Sequence, residues 1–266
     1  MRQLDDGFQS WYRDNAAIYD SERFTSARER QFVLLENETI LRLLKPQPGM
    51  KILDIGTGTG RASLAVASRS GAQVIGLDLT PQMLKQAQHK RAEAEVASLS
   101  LVCANARQLP FEDETFDAVM SIRMVHLFPA QHWPIFINEM TRVLRPGGSL
   151  LVEFDSPLAG GGWVAVRELR RRLARKKRRY YLWPWNCRSL FGTLEDCQVH
   201  GFWFPGVARL AERSDHLRTL GSNAHLVPPF GFLGNYALVH ARKRAGVATS
   251  ATATSSRPAA TTQASG

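Results

Sequence analysis

Apolar runs alternate with helical stretches between residues 49 and 155. The runs read KILDI, QVIGL, SLVC, FDAVMS and SLLVEF, and helical patterns separate them. Near-continuous apolar runs are typical of strands that are buried on both faces, and parallel strands need helical crossover connections. The pattern therefore predicts an α/β fold in which five strands form a mostly parallel sheet with helices on both faces.

The chain before residue 49 has the spacing of an amphipathic helix. Apolar side chains recur at Phe32, Leu35, Ile40, Leu43 and Leu44, and the Pro46-Gln47-Pro48-Gly49 sequence ends the pattern. After Asp155 the pattern is less regular, with a strand pair expected near residues 199–204 and 236–241. Residues 246–266 are rich in Ser, Thr and Ala and lack large side chains, which predicts a disordered tail.

Charge changes this picture at one place only. The chain has 34 Lys and Arg against 24 Asp and Glu, a formal net charge of +10. Residues 167–179 contain nine bases and one acid, and four aromatic residues follow before residue 186. Three interpretations are open, in this order: a solvated surface, contact of residues 167–185 with an anionic membrane surface, or contact with nucleic acid. Contact with nucleic acid comes last because the rest of the sequence shows no second basic stretch and no recognised nucleic-acid-binding module.

Cysteine and histidine spacing indicates no metal site. Cys103, Cys187 and Cys197 are far apart in the sequence and form no C-x-x-C pair, which also argues against a disulfide framework. The histidines form no i, i+3 or i, i+4 ligand pair with one another. The first residues lack the pattern of a secretory signal, and no apolar run reaches the roughly 18 residues of a membrane span. We therefore expect a cytoplasmic protein.

The glycine-rich turn after the first predicted strand carries the main chemical signal. It reads Asp54-Ile55-Gly56-Thr57-Gly58-Thr59-Gly60, and Asp78 ends the next strand. Glycines let the backbone approach a ligand closely, and the helix N-terminus that follows favours a negative group. Asp78 can accept two hydrogen bonds from a ribose diol. The G-x-G-x-x-G/A pattern of nicotinamide and flavin sites fits from neither Gly56 nor Gly58, so the turn predicts another adenosine-containing ligand.

From about Tyr19 to Phe154 the chain resembles the class I S-adenosylmethionine-dependent methyltransferases, most closely the UbiE-like (methyltransferase type 11) group. The resemblance rests on KILDIGTGTG, GLDLTPQML, VCANARQLPFEDETFDAVMS, IRMVHLF and EMTRVLRPGGSLLVEF, in the family's order. It implies a Rossmann-like seven-stranded sheet, S-adenosylmethionine as cofactor, and O-, C- or N-methylation of a small apolar or aromatic acceptor. The alternatives are an RNA methyltransferase that uses residues 167–179 and a non-catalytic regulatory protein that binds the cofactor.

The resemblance also implies a division of the chain. Residues 1–48 would form a helical lid, 49–155 the cofactor-binding core, and 156–245 an acceptor-side cap insertion with the final strands of the same domain. In the lid, Tyr19 and Arg28 would lie over the cofactor. Residues 246–266 would form the disordered tail.

Individual positions take roles from the same resemblance. Asp54 and the glycine turn would hold the methionyl part of the cofactor, and Asp78 the ribose. Asn105 stands where the family usually has Asp beside the adenine amino group, and its amide oxygen can accept that hydrogen bond without the charge. The implied cofactor-binding set is Tyr19, Asp54, Gly56, Thr57, Gly58, Gly60, Asp78, Leu79, Met83, Asn105, Ala106, Ser121 and Arg123.

His126 and Asp155 are the candidate catalytic residues. Methyl transfer depends mainly on aligning two bound partners, an effect that can reach ~7 to 11 kcal/mol, so little acid–base chemistry is required. A base helps where the acceptor is a phenol, a hydroxyl or a carbon acid, and His126 follows the fourth predicted strand. A packing histidine and a local turn acid at Asp155 are the competing interpretations.

Overall fold

The computed structural model describes residues 2–23, 26–156, 169, 173, 180–202 and 236–245. These residues contain one seven-stranded sheet with the strand order β3-β2-β1-β4-β5-β7-β6. The strands are β1 Lys51–Ile55, β2 Gln73–Asp78, β3 Leu99–Cys103, β4 Phe116–Ser121, β5 Leu144–Asp155, β6 Glu195–Phe202 and β7 Tyr236–Arg242. The pairs among β1 to β5 are parallel, and β7 runs antiparallel to both β5 and β6. The mostly parallel α/β sheet is thereby confirmed, including its seven strands.

Helices lie on both faces of this sheet. They are α1 Arg2–Asn15, α2 Tyr19–Arg23, α3 Ala27–Leu44, α4 Arg61–Ser70, α5 Pro81–Glu93, α6 Trp133–Val143 and α7 Pro184–Phe191. Two short 3-10 helices, Val125–Leu127 and Ala130–His132, precede α6. Successive side chains of a strand point to opposite faces, so each buried strand contributes to two cores.

The two cores follow from this alternation. On β5, Leu150 and Val152 belong to the core that contains α6 and α7, and Leu151 belongs to the core that contains α3 and α4. On β1, Leu53 likewise faces the first core and Ile52 the second. Because both faces are covered, the strand ends are the places where the sheet can form a binding site.

Two parts of the fold differ from the sequence expectation. The N-terminal pattern forms three helices rather than one. The Pro146-Gly147-Gly148 sequence, a composition that favours a turn, lies inside β5, which begins at Leu144. Main-chain pairing explains this difference, because Gly147 N–H donates to the Lys243 carbonyl at 2.8 Å and Lys243 N–H donates to that of Gly148 at 3.0 Å.

Several expectations lie outside the described residues. These are the tail at 246–266, most of the basic stretch at 167–179, and the side chain of Arg28. The division of the chain at residues 48 and 155 stays a prediction. Within the described part of the chain, no helix combines the length and apolarity needed to cross a membrane.

Candidate functional site

A cavity lies beside the carboxyl ends of β1, β2 and β4. Its walls come from the glycine turn after β1, the segments that follow β2, β3 and β4, and the helices α1, α2, α4, α5 and α6. Most of the residues predicted to bind a cofactor line it: Tyr19, Asp54, Gly56, Thr57, Gly58, Asp78, Leu79, Met83, Asn105, Ala106 and Arg123. The structure therefore brings residues from five separate chain segments to one place.

The glycine turn needs its glycines for conformation and for space. Gly56, Gly58 and Gly60 have φ of +76°, +56° and +78°, in the left-handed region that side chains disfavour. A Cβ on Gly56 would lie 2.5 Å from Met124 Cγ, and one on Gly60 would lie 2.9 Å from Ala87 Cβ. Gly60 does not line the cavity, so the structure assigns it to the packing of the turn against α5.

Asp54 is buried at the base of the turn. Ser63 Oγ on α4 donates to Asp54 Oδ2 at 2.5 Å and lies 2.6 Å from Thr57 Oγ1. Burial raises the pKa of Asp54 to about 6, and the hydrogen bonds from Ser63 and Thr57 partly oppose that shift. Asp54 thus connects β1, the turn and the first turn of α4.

Asp78 ends β2 with both carboxylate oxygens engaged. Oδ2 accepts the Gly58 N–H at 2.9 Å, and Oδ1 accepts the Thr80 N–H at 2.9 Å. Burial raises the pKa of Asp78, while the backbone hydrogen bonds from Thr80 and Gly58 lower it. An ionised carboxylate offers about four acceptor positions, so these two bonds leave capacity for a ligand.

The wall beyond Asp78 is apolar. Leu79 is 37% exposed and Met83 is buried, and both line the cavity. Asn105 lies at the rim, and its Oδ1 accepts the Arg107 N–H at 2.9 Å. The amide oxygen has a second lone pair, so it keeps the acceptor capacity expected from the sequence.

The N-terminal helices close one side of the cavity. Tyr19 and Tyr12 line it, and the Arg23 side chain donates to Tyr19 Oη at 2.8 Å. Asp20 accepts a hydrogen bond from Thr59 Oγ1 at 3.0 Å and forms an ion pair with Lys90. One carboxylate therefore ties α2 to both the glycine turn and α5.

Sequence reasoning missed the contribution of α1. Gln9 and Tyr12 both line the cavity. Burial, and secondarily Tyr19, raises the pKa of Tyr12 to about 12, so its phenol keeps its proton. The adjacent aromatic pair Trp11-Tyr12 was the available signal, but the apolar spacing that predicts a helix begins only at Phe32.

A second missed feature is a buried charged cluster behind the cavity. Glu36 on α3 forms an ion pair with Arg61, and both Glu36 and Glu153 are buried. Burial, reinforced by Glu36, raises the pKa of Glu153 well above its ordinary value. Arg123 has φ of +62°, and its guanidinium lies 5.3 Å from the centroid of the Phe32 ring. Burial lowers the pKa of Arg123, but Tyr236, Glu36 and Glu153 together raise it above the ordinary value.

Besides Gly60, three predicted site residues do not line the cavity. Ser121 is buried and donates to the Ile55 carbonyl at 2.9 Å, so it joins the ends of β1 and β4. His126 is buried in a 3-10 helix, where its carbonyl accepts the Tyr180 N–H at 3.4 Å. Asp155 is buried at the end of β5, and its carbonyl accepts the Leu182 N–H at 3.3 Å. Residues 180–182, which follow β5, pack on His126 and Asp155. This packing explains why the two catalytic candidates lie away from the cavity walls.

Metal chemistry receives no support from the described residues, where no group of three His, Cys, Asp or Glu side chains is arranged to hold an ion.

Comparisons with known proteins find methyltransferases among the relatives of this chain. The model of a family described as a methyltransferase domain matches residues 52–148. Demethylmenaquinone methyltransferase of Bacillus cereus is 30% identical over 167 residues, which cover 59% of this chain and 69% of that protein. Sterol methyltransferase-like 3 of Botryococcus braunii is 38% identical over 118 residues, 44% of this chain. The chain spans only 30% of the length of that relative.

Solved structures agree on the fold. Phosphoethanolamine N-methyltransferase 2 of Haemonchus contortus, in complex with S-adenosyl-L-methionine, superposes with a TM-score of 0.58 at 19% identity. The superposition covers 88% of this chain and 60% of that one.

Proposed function

The chain belongs to the class I S-adenosylmethionine-dependent methyltransferases, and we propose that it transfers the methyl group of this cofactor to a small apolar or aromatic acceptor. One observation carries the proposal. The Asp78 carboxylate and the left-handed glycine turn border the same cavity as an apolar wall and an aromatic wall. That combination suits an adenosyl ligand and an adjoining apolar partner.

The residues present fit the cofactor. Asp78 has acceptor capacity for a ribose diol, and Leu79 and Met83 supply two apolar faces for a purine. Helix α4 begins at Arg61 directly after the turn, and its N-terminus favours a carboxylate. When bound, the cofactor supplies an electrophilic methyl group on a sulfonium.

The chain's own residues contribute mainly by alignment. The turn is fixed by the hydrogen bonds of Asp54 and Ser63, so the ligand meets a preorganised surface. Tyr12 and Tyr19 cover the cavity from the N-terminal side and would exclude water. Holding donor and acceptor in line can contribute up to ~7 to 11 kcal/mol without a catalytic base. We propose on this ground that residues 1–48 act as the lid of the site.

The wall formed after β4 supports an apolar acceptor. Leu127, Phe128 and Phe136 line the cavity, and the Phe128 and Phe136 ring centroids lie 4.9 Å apart. The Arg107 guanidinium lies 5.8 Å from the Phe128 ring centroid and 5.9 Å from that of Phe136. Relatives named for demethylmenaquinone and sterol substrates also favour an acceptor of this class.

Calorimetric titration with S-adenosylmethionine, S-adenosylhomocysteine and NADH tests the proposal. We expect the two adenosyl ligands to bind and NADH not to bind. Asp78→Ala should weaken both adenosyl ligands by ~100-fold or more, because two hydrogen bonds to a charged group contribute ~1.5 to 3 kcal/mol each. Asp113→Ala is the matched control, since Asp113 is exposed and pairs with Arg142 outside the cavity.

Three outcomes distinguish the alternatives. A folded protein that binds neither adenosyl ligand at millimolar concentration would overturn the proposal. Binding without transfer of labelled methyl to quinone-like phenols would favour a regulatory protein, and transfer to tRNA alone would favour an RNA methyltransferase. Circular dichroism of Asp78→Ala and Asp78→Asn separates a binding defect from loss of the fold.

We also propose that residues 167–185 contact anionic lipid headgroups. Leu173 is 77% exposed and Trp185 is 70% exposed, and Trp185 stacks on Trp183 with ring centroids 4.8 Å apart. Exposed apolar residues next to nine bases suit a headgroup interface, where each base contributes about 1 kcal/mol. Cosedimentation with phosphatidylglycerol vesicles, but not with phosphatidylcholine vesicles, is expected. Equal binding to both would contradict the electrostatic part of the proposal.

A further inference from the structure

Two cysteines that the sequence separates lie side by side in the fold. Cys187 is on α7 and Cys197 is on β6, and their sulfur atoms are 4.0 Å apart. The Cys187 side chain is buried, with 8% exposed, whereas Cys197 is exposed. One thiol is therefore open to a soluble oxidant, and its neighbour is within reach for a second step.

We propose that Cys187 and Cys197 form a redox-sensitive pair, which a peroxide oxidises to an intramolecular disulfide and a dithiol reduces again. A disulfide requires the two sulfurs to approach to about 2.05 Å. Rotation about the Cα–Cβ bonds of the two cysteines can supply this approach, since each residue ends in a single Sγ atom. The third cysteine, Cys103, is exposed on β3 and provides an internal comparison.

The contact between the thiols gives them different roles. A hydrogen bond from the Cys187 S–H lowers the pKa of Cys197, which favours the thiolate at the exposed position. The same contact, together with burial, raises the pKa of Cys187. Cys197 is thus the attacking sulfur and Cys187 the resolving one.

The reaction balances with hydrogen peroxide as the oxidant. The Cys197 thiolate attacks one peroxide oxygen, the O–O bond breaks, and hydroxide leaves with Cys197 as a sulfenic acid. Cys187 gives up its proton and attacks the Cys197 sulfur, the S–O bond breaks, and a second hydroxide leaves. Each hydroxide takes up one of the two thiol protons. Two thiols and one peroxide become one disulfide and two water molecules, so the sulfurs lose the two electrons that the peroxide gains.

Alkylation of the purified full chain tests the pair. The reduced protein, denatured and treated with iodoacetamide, should carry three labels. After brief treatment with hydrogen peroxide it should carry one, on Cys103, and peptide mapping should find residues 187 and 197 crosslinked. Dithiothreitol should restore all three labels.

Three variants make the test specific. Cys103→Ser should leave the crosslink intact, and Cys187→Ser should leave a sulfenic acid on Cys197 that dimedone captures. Cys197→Ser should abolish the crosslink and leave Cys187 reduced. Crosslinks through Cys103, oxidation of Cys197 to sulfinic acid while Cys187 stays free, or three labels after peroxide would each overturn the proposal. The readout is covalent, so it is independent of methyl transfer.

Discussion

The carboxyl ends of β1 and β2 meet the cavity, whereas the carboxyl end of β5 meets the protein core. Asp54 and Asp78 line the cavity, and Ser121 and Asp155 are buried away from it. The difference lies in the chain that follows each strand. After β1 a left-handed glycine turn leaves open space, while after β5 the segment at Tyr181 and Leu182 pairs with Asp155 and fills it. A strand end becomes a binding position only where the next segment leaves room.

Filling the space at the glycine turn is expected to have the largest effect. Gly56→Ala should destabilise the protein by about 4 kcal/mol, from overpacking of up to ~3 and a left-handed backbone cost of ~1. The overpacking arises because the new Cβ would lie 2.5 Å from Met124 Cγ. Chemical denaturation measures the change in the free energy of unfolding.

Gly147→Ala is the matched control for this prediction. Gly147 has φ of +74°, and a Cβ there would meet nothing within 4 Å. We expect a loss of only ~1 kcal/mol, from the backbone conformation alone. Equal destabilisation by the two variants would show that conformation rather than space limits the turn.

The pH dependence of stability should report the burial of Asp54. Its pKa rises from 3.8 to about 6 on folding, so the folded protein binds the proton more tightly than the unfolded chain. This contribution to stability is present below pH 4 and is lost as the pH rises through 6, on the order of 2 to 3 kcal/mol in total. Asp54→Asn, which can still accept from Ser63, should remove this loss.

Denaturation at pH 4 and pH 7 checks the Asp54 prediction. The fall in stability between the two pH values should be smaller in Asp54→Asn than in the parent protein. In the control variant Asp113→Asn, which changes an exposed carboxyl, stability should fall between pH 4 and pH 7 by nearly as much as in the parent protein. If Asp54→Asn changed the free energy of unfolding by the same amount at both pH values, the Asp54 carboxyl would not titrate between pH 4 and pH 7.

The sequence could predict those site residues whose location follows from the strand or turn that contains them. Gly56, Gly58 and Asp78 fall at fixed positions relative to buried strands, so their place at the sheet edge follows from strand and turn geometry. Tyr12 could not be placed, because its position depends on how α1 docks on α5. Glu153 was missed for a related reason. Its carboxyl lies within an apolar run, and the groups it meets come from α3 and from the chain after β4.

The lid that we propose at residues 1–48 should depend on Asp20 more weakly than the turn depends on its glycines. Asp20→Ala removes the ion pair with Lys90 and the hydrogen bond from Thr59. Each interaction is partly exposed and contributes ~1 kcal/mol or less, so we expect S-adenosylhomocysteine affinity to fall by about 3- to 10-fold. Asp14→Ala is the control, since the exposed Asp14 pairs only with its neighbour Arg13 among the described contacts. Equal affinities in calorimetry would mean that α2 does not restrain the ligand.

The smallest effect is expected where the sequence had placed the catalytic base. A general base contributes ~100- to 10,000-fold to the rate, but only if it reaches the reacting group. His126 is buried and does not line the cavity. His126→Gln should therefore change kcat, measured per folded protein, by less than about 3-fold. The assay uses whichever acceptor takes up labelled methyl from S-adenosylmethionine. Asp155→Asn should behave alike. A 100-fold loss in either variant at unchanged cofactor affinity would show that the segment after β5 moves aside during turnover. It would bring the end of β5 and the 3-10 helix at Val125–Leu127 into the active site.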